Sequence, residues 1–220
     1  MNKITEPHWM AWVKWHLYRK RRGPRYERLW DLRNFIRGLP NNGLMVDCGA
    51  NVGDISKLFL DKGYTVHAFE PDPAPRAILQ RRYGNRKNLT VHPEAVGVEK
   101  TQFTLHRIAG VSQTSVRCSV SSSLIERDVH AGGDLITVDV IDLFEFLDSL
   151  GQKVDILKLD IEGAEADILE KMLETRYDRK LGSVFVETHE RFSDEMADRL
   201  SKIRERFAKL AIQNVNLDWH

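Results

Sequence analysis

Residues 44–53 read Leu-Met-Val-Asp-Cys-Gly-Ala-Asn-Val-Gly, and their spacing decides the fold. A short apolar run reaches Asp47, then follows D-x-G-x-N-x-G with Gly49, Asn51 and Gly53. Ile55, Leu58 and Phe59 continue at helical spacing. The pattern predicts a buried strand, a tight glycine turn and a helix start. Gly49 and Gly53 let backbone approach a ligand closely, and the helix start offers free N–H groups. Seventeen residues past Gly53, after a strand-like run over 64–69, stands Glu70, where an acid is placed to hold a ribose diol.

Two ligand classes use such a turn. A dinucleotide brings a pyrophosphate; S-adenosylmethionine brings an ammonium, a carboxylate and a sulfonium. The dinucleotide fingerprint G-x-G-x-x-G is absent, because the spacing here is Gly49-x-x-x-Gly53. A carboxylate at the strand tip, Asp47, repels pyrophosphate and attracts a cation. At an effective dielectric near 20, a unit charge pair about 4 Å apart is worth roughly 4 kcal/mol, so the sign matters. The spacing and charge favour S-adenosylmethionine. The plain alternative is a βα turn in which Asp47 only caps the helix.

Outward from this stretch, strands are predicted at about 44–48, 64–69, 89–92, 154–160 and 183–188. Helices are predicted at about 53–62, 73–82, 141–150, 164–175 and 193–209. Strand and helix in alternation imply an α/β fold, a parallel sheet covered on both faces. Between Ala95 and Val140 the rhythm breaks. Gln102-Phe103-Thr104-Leu105-His106 and Leu135-Ile136-Thr137-Val138 flank a stretch containing Ser119, Ser121, Ser122 and Ser123. This reads as an antiparallel insertion or edge extension with a loop. One last strand is expected over 211–217. Before the sheet, residues 8–18 and 25–38 read as helices separated by Lys20-Arg21-Arg22-Gly23-Pro24. The expected division is an N-terminal helical extension, 1–40, and a domain over 41–220.

With 30% charged and 42% hydrophobic residues, the composition is that of a soluble globular chain. No apolar run approaches the roughly 20 residues needed to span a bilayer, and no apolar signal-peptide core is present. Cys48 and Cys118 are the only cysteines, too few for a disulfide framework, so a reducing cytoplasm is the expected location. Residues 1–40 hold ten Lys/Arg against three acids, a balance of +7, on a chain of net charge +1. The same head carries Trp9, Trp12 and Trp15. Its basic indole-rich face suits a lid over the acceptor site, or a membrane-surface or partner contact through residues 1–22. A solvated or core-packed helix is the bland reading, and nucleic acid is not an expected partner.

Two further strands end in acids. Val154 to Glu165 is an apolar run closing on Asp160, Glu162, Gly163 and Glu165. Ligands of open α/β sheets bind beyond the carboxyl ends of the strands, so Asp160 belongs to the rim of Asp47 and Glu70. Glu165 reads most simply as an acid in a helix first turn, and Lys158 as a buried partner for an acid. Val184-Phe185-Val186-Glu187-Thr188-His189 also ends on that rim, and His189 titrates near neutrality.

Taken together, these segments resemble the FkbM family of S-adenosylmethionine-dependent methyltransferases. The matching pieces are 46–53, Ala-Phe-Glu-Pro-Asp-Pro (68–73), His-Pro-Glu-Ala-Val-Gly (92–97) and Ser-Ser-Leu (122–124). Leu-Lys-Leu-Asp-Ile-Glu-Gly-Ala-Glu (157–165) and Val-Glu-Thr-His (186–189) complete the order. The first piece is shared by many class I methyltransferases; the Lys-x-Asp-x-Glu-Gly-Ala-Glu run is more particular. Val140-Ile141-Asp142 departs from the family's usual leucine-aspartate-aspartate, and residues 1–40 lie outside the resemblance. It implies a Rossmann-like class I methyltransferase fold whose sheet ends in an antiparallel pair, and methylation, mostly of oxygen. By position, Asp47, Gly49, Ala50, Asn51 and Gly53 would cradle the methionine end of the cofactor. Glu70 would take the ribose, with Pro71 and Asp72 shaping its loop, and Glu94 and Ala95 would border adenine. Asp160 and Glu162 would face the methyl group and the acceptor.

Methyl transfer is an in-line displacement at an activated carbon, so the protein supplies alignment. A hydroxyl acceptor, on a small molecule or a glycan, also needs a base within about 3 Å, for which Asp160 and His189 are the candidates. Asp160, Glu162 and Glu187 are hard oxygen donors, but their spacing defines no divalent metal site, and none is assigned. A nicotinamide-dependent oxidoreductase is the alternative enzyme. A non-catalytic S-adenosylmethionine-binding module that docks a partner or membrane is the alternative outside enzymes.

Overall fold

The computed structural model describes residues 35–106, 135–190, 193–217 and 219. The helix expected over 8–18, most of that over 25–38, and the serine-rich stretch lie outside these residues. Residues 35–40 belong to a separate unit from Asn41–Trp219, and within them 35–38 are helical.

The larger unit is built on six strands: β1 (Leu44–Cys48), β2 (Thr65–Phe69), β3 (Leu89–His92), β7 (Ile156–Leu159), β8 (Ser183–Val186) and β9 (Val215–Asn216). Their order is β3-β2-β1-β7-β8-β9, and every pairing is parallel. Among the described residues, five α-helices connect or follow them: α1 (Asp54–Leu60), α2 (Pro73–Tyr83), α3 (Leu143–Ser149), α4 (Glu165–Thr175) and α5 (Asp194–Lys209). Every residue of β1 and β7 is buried, including Asp47 and Lys158, so both faces of the sheet centre are covered. The core joins Val46, Leu157 and Val184 of the sheet to Leu169 and Met172 of α4 and Leu200, Ile203 and Phe207 of α5. This is the parallel α/β architecture that the strand–helix alternation predicts, and the Rossmann-like fold that the family resemblance implies.

From β1 the chain runs outward through β2 and β3, then crosses back to β7 on the other side of β1. The strand order therefore reverses between β1 and β7, where such sheets open a ligand crevice beyond the strand ends. The register sets Asp47 beside Ala68 on one flank and Lys158 on the other.

Three details depart from expectation. The insertion is a separate three-stranded sheet in the order β4 (Ala95–Gly97), β6 (Leu135–Asp142), β5 (Thr101–His106). Strands β5 and β6 form the predicted antiparallel pair, while β4 adds in parallel to β6. Helix α3 starts later than 141, because Asp142 ends β6 and caps the helix, accepting from the N–H of Phe144 at 2.8 Å and of Glu145 at 3.2 Å. The sheet of the described residues closes on a parallel strand, not on the antiparallel pair the family resemblance implied. Helix α5 carries the chain back across the sheet before β9, and a helical crossover returns a strand in parallel. Asn214 then pins the edge, its side-chain amide donating to the carbonyls of Asp178 and Gly182 at 2.9 and 2.8 Å.

Candidate functional site

The turn after β1 is fastened to its neighbours by backbone. The N–H groups of Gly49 and Ala50 both donate to the Phe69 carbonyl, at 3.0 and 2.9 Å. Gly49 has φ +78°, and a Cβ there would lie 1.7 Å from the carbonyl oxygen of Asp160. Asn51 also takes a left-handed φ of 53°. Its N–H donates to Glu70 Oε2 at 2.7 Å, and its Oδ1 accepts from the Val52 N–H.

Glu70 thus braces two loops, since its Oε1 accepts from the Asp72 N–H at 2.9 Å. Asp72 in turn caps α2, accepting from the Ala74 N–H, with Pro73 as the first helical residue. Burial pushes the Glu70 carboxyl up to about 7, against the opposing pull of the Asp72 and Asn51 N–H groups. Pro71 contributes its carbonyl to Arg76, 2.7 Å away. Past β3, Ala95 is buried in β4, and Glu94 Oε2 is buried with no hydrogen-bond partner among the described residues.

Asp47 does not present its carboxylate to the crevice. It is wholly buried; Oδ2 accepts from Ser56 Oγ at 2.5 Å, and Oδ1 lies 3.3 Å from Lys158 Nζ. Lys158 also reaches Asp160 Oδ2 at 3.3 Å and donates to the Gly49 carbonyl at 3.1 Å. Burial works against the ammonium, but Asp160 and Asp47 outweigh it and hold its pKa above the ordinary lysine value. The turn after β1 and the tip of β7 are therefore joined through one buried cation. The strand-tip acid that remains partly open is Asp160, 28% exposed.

The other half of the rim gathers Asp160, Glu162 and His189, which place one ligand atom each within 4.8 Å of one another. His189 Nε2 lies 3.3 Å from Glu162 Oε2 and 3.9 Å from Asp160 Oδ1. Glu162 turns the loop with φ +57°. Behind them stands Glu165, which the sequence reads only as a helix-favouring acid. Its Oε1 accepts from His189 Nδ1 and from the Ile161 N–H, and its Oε2 from the Gly163 N–H, all at 2.9 Å. A carboxylate can only accept, so Nδ1 carries the proton. Burial lowers the His189 pKa, yet Glu165, Glu162 and Asp160 together raise it above the ordinary value. Glu187 uses its backbone N–H on the Leu159 carbonyl and is not one of this trio.

A doubly wound parallel sheet, a glycine turn at its switch point and a carboxylate–histidine cluster facing that turn define a Rossmann-like α/β protein with a rim site. The model of the methyltransferase FkbM domain matches residues 47–211, a span that contains every rim residue described above, and the chain belongs to that family. It is 27% identical over 159 residues to "Methyltransferase 1" of Beauveria bassiana (strain ARSEF 2860), covering 65% of this chain and 64% of that protein. It is 28% identical over 189 residues to "Methyltransferase sdnD" of Sordaria araneosa, covering 70% of each. Among the described residues, no helix is long and apolar enough to cross a membrane.

Proposed function

We propose that this protein moves a methyl group from S-adenosylmethionine to a hydroxyl oxygen of a small molecule or sugar. The observation that carries the reading is the convergence of the β1 turn and the Asp160–Glu162–His189 cluster across the β1/β7 switch point. Family membership supports the methyl transfer. Two features fit the cofactor: the buried Glu94 Oε2 has no donor among the described residues, and Glu70 keeps lone pairs beyond the two N–H groups it binds. Ala50, Asn51 and Gly53 would border its amino-acid end. Glu70 would take the ribose, in the loop formed by Pro71 and Asp72, and Glu94 beside Ala95 the adenine edge. The bound cofactor would supply a methyl carbon activated by its sulfonium.

The chain's own task is to align the acceptor and receive its proton. Asp160 is the open carboxylate on the rim, and His189 is oriented by Glu165; either can take a hydroxyl proton. The basic, Trp-rich residues 1–22 would meet a membrane surface or a partner. Calorimetry with S-adenosylmethionine and, separately, NAD tests the cofactor. A mass gain of about 14 Da, one CH₂, on a member of a hydroxylated acceptor panel tests the reaction. Binding of NAD instead would replace this reading with an oxidoreductase. Binding of S-adenosylmethionine with no turnover on any acceptor would favour a binding module.

A further inference from the structure

Clusters of carboxylates are common on protein surfaces. This one differs because an imidazole that is 1% exposed forms one arm. Three observations bear on what occupies it. The first is charge. Lys158 is divided between Asp47 and Asp160, 3.3 Å from each, and the trio brings two carboxylates to a single imidazole. The second is the support behind His189. Glu165 lies outside the trio, is itself buried, and holds Nδ1 at 2.9 Å while the Ile161 and Gly163 N–H groups hold Glu165. Metal-bound histidines are held this way, by an outer carboxylate that fixes the tautomer and aims the other ring nitrogen at the ion. Here that other nitrogen, Nε2, faces the two outer carboxylates.

The third is spacing. An octahedral ion with bonds of about 2.1 Å sets neighbouring ligand atoms about 3.0 Å apart and opposite ones about 4.2 Å apart. The Nε2–Glu162 and Nε2–Asp160 distances, 3.3 and 3.9 Å, fall within that range.

We propose that His189, Asp160 and Glu162 form a seat for a divalent cation, with Glu165 as the residue that positions the imidazole. One nitrogen and two oxygen donors suit Mn²⁺ or Mg²⁺ over soft, thiolate-seeking ions, with the nitrogen favouring Mn²⁺. Three protein ligands leave open positions, where a hydroxylated acceptor would find a Lewis acid. The seat rests on this chain's own side chains and stands whether or not the cofactor reading holds.

The test is a titration of the full chain with MnCl₂, followed by calorimetry and by the paramagnetic resonance signal of free Mn²⁺, with MgCl₂ as competitor. One Mn²⁺ per chain is expected, displaced by excess Mg²⁺. Affinity should fall at least tenfold in Asp160→Asn and in Glu162→Gln, whose side chains are partly exposed and tolerate the change. Glu165→Gln should weaken binding about 10- to 100-fold, as for other outer carboxylates on metal-bound histidine. No binding at millimolar Mn²⁺ by the folded wild type overturns the seat. Equal binding by wild type, Asp160→Asn and Glu162→Gln also overturns it. S-adenosylmethionine calorimetry on the same samples keeps the two readings apart. Mn²⁺ binding without cofactor binding would sink the proposed function alone, and the reverse would sink the seat alone.

Discussion

The carbonyl oxygen of Asp160 occupies the space that a Cβ at position 49 would need, 1.7 Å away. Gly49 is thus demanded by the contact between the β1 turn and the tip of β7, before any ligand enters. Its φ of +78° adds a second reason. Gly49→Ala should lower stability by more than about 2 kcal/mol, because left-handed strain and a backbone clash act together. A urea titration reads this as a fall in the midpoint. An unchanged midpoint would mean that the strand tips separate at little cost, and that the turn is not locked to Asp160.

Glu70 sets a pH dependence. Its carboxyl is pushed up to about 7 by burial, from an ordinary value of 4.5. The folded state therefore favours the protonated form: its stabilising contribution is present below about pH 4.5 and is lost as pH rises through 7. Ligand binding runs the other way, since a ribose diol donates to an ionised carboxylate. The affinity for 5′-methylthioadenosine, which keeps the ribose but lacks the titratable amino-acid end, should strengthen from pH 6 to pH 8. Glu70→Gln should bind more weakly, by roughly tenfold at pH 8 on the 1.5–3 kcal/mol of a charged hydrogen bond, and should lose the slope. A wild-type affinity that stays flat across this range would remove Glu70 from the ribose site.

The legible parts of the molecule were those written locally. The run 44–53 carries its own strand, glycines and helix start, and β1 and α1 form there. The rim followed, because Asp160 and His189 each stand just beyond an apolar strand. Relations between strands were not legible. Asp47 reads as an acid facing a ligand; only the register that sets it beside Lys158 shows its charge met inside. Glu165 was hidden for the same reason, since its partner His189 lies 24 residues away. A usable signal existed in Glu-Gly-Ala-Glu: a first-turn carboxylate after a glycine loop finds bare N–H groups to accept, as in a capping box. The direction of β9 depends on the path of α5, which local pattern does not encode.

Lys158 holds two carboxylates of which one, Asp47, is wholly buried. Lys158→Met should strand that charge and cost about 3–5 kcal/mol. Asp47→Asn in the same chain should recover part of the loss, because the two substitutions act on one contact and are not additive. Denaturant midpoints of the two single variants and the double variant measure the coupling. Strictly additive losses would mean that the ammonium and Asp47 do not sustain one another.

Asp160 and His189 stand beyond the ends of β7 and β8, whereas Glu70 stands on the other flank of β1, at the end of β2. Substitutions should separate accordingly. With an acceptor in hand, Asp160→Asn and His189→Gln should lower kcat, by 10²–10⁴-fold for whichever group receives the proton, the usual worth of a positioned base. S-adenosylmethionine affinity should stay within about twofold in both, since on this reading neither residue touches the cofactor's ribose or adenine. Glu70→Ala should show the opposite split, with weakened cofactor binding and a kcat that recovers at saturating cofactor. Steady-state kinetics paired with calorimetry on the three variants decides the matter. Full turnover in both Asp160→Asn and His189→Gln would place the base elsewhere, or show that the acceptor gives up its proton unaided.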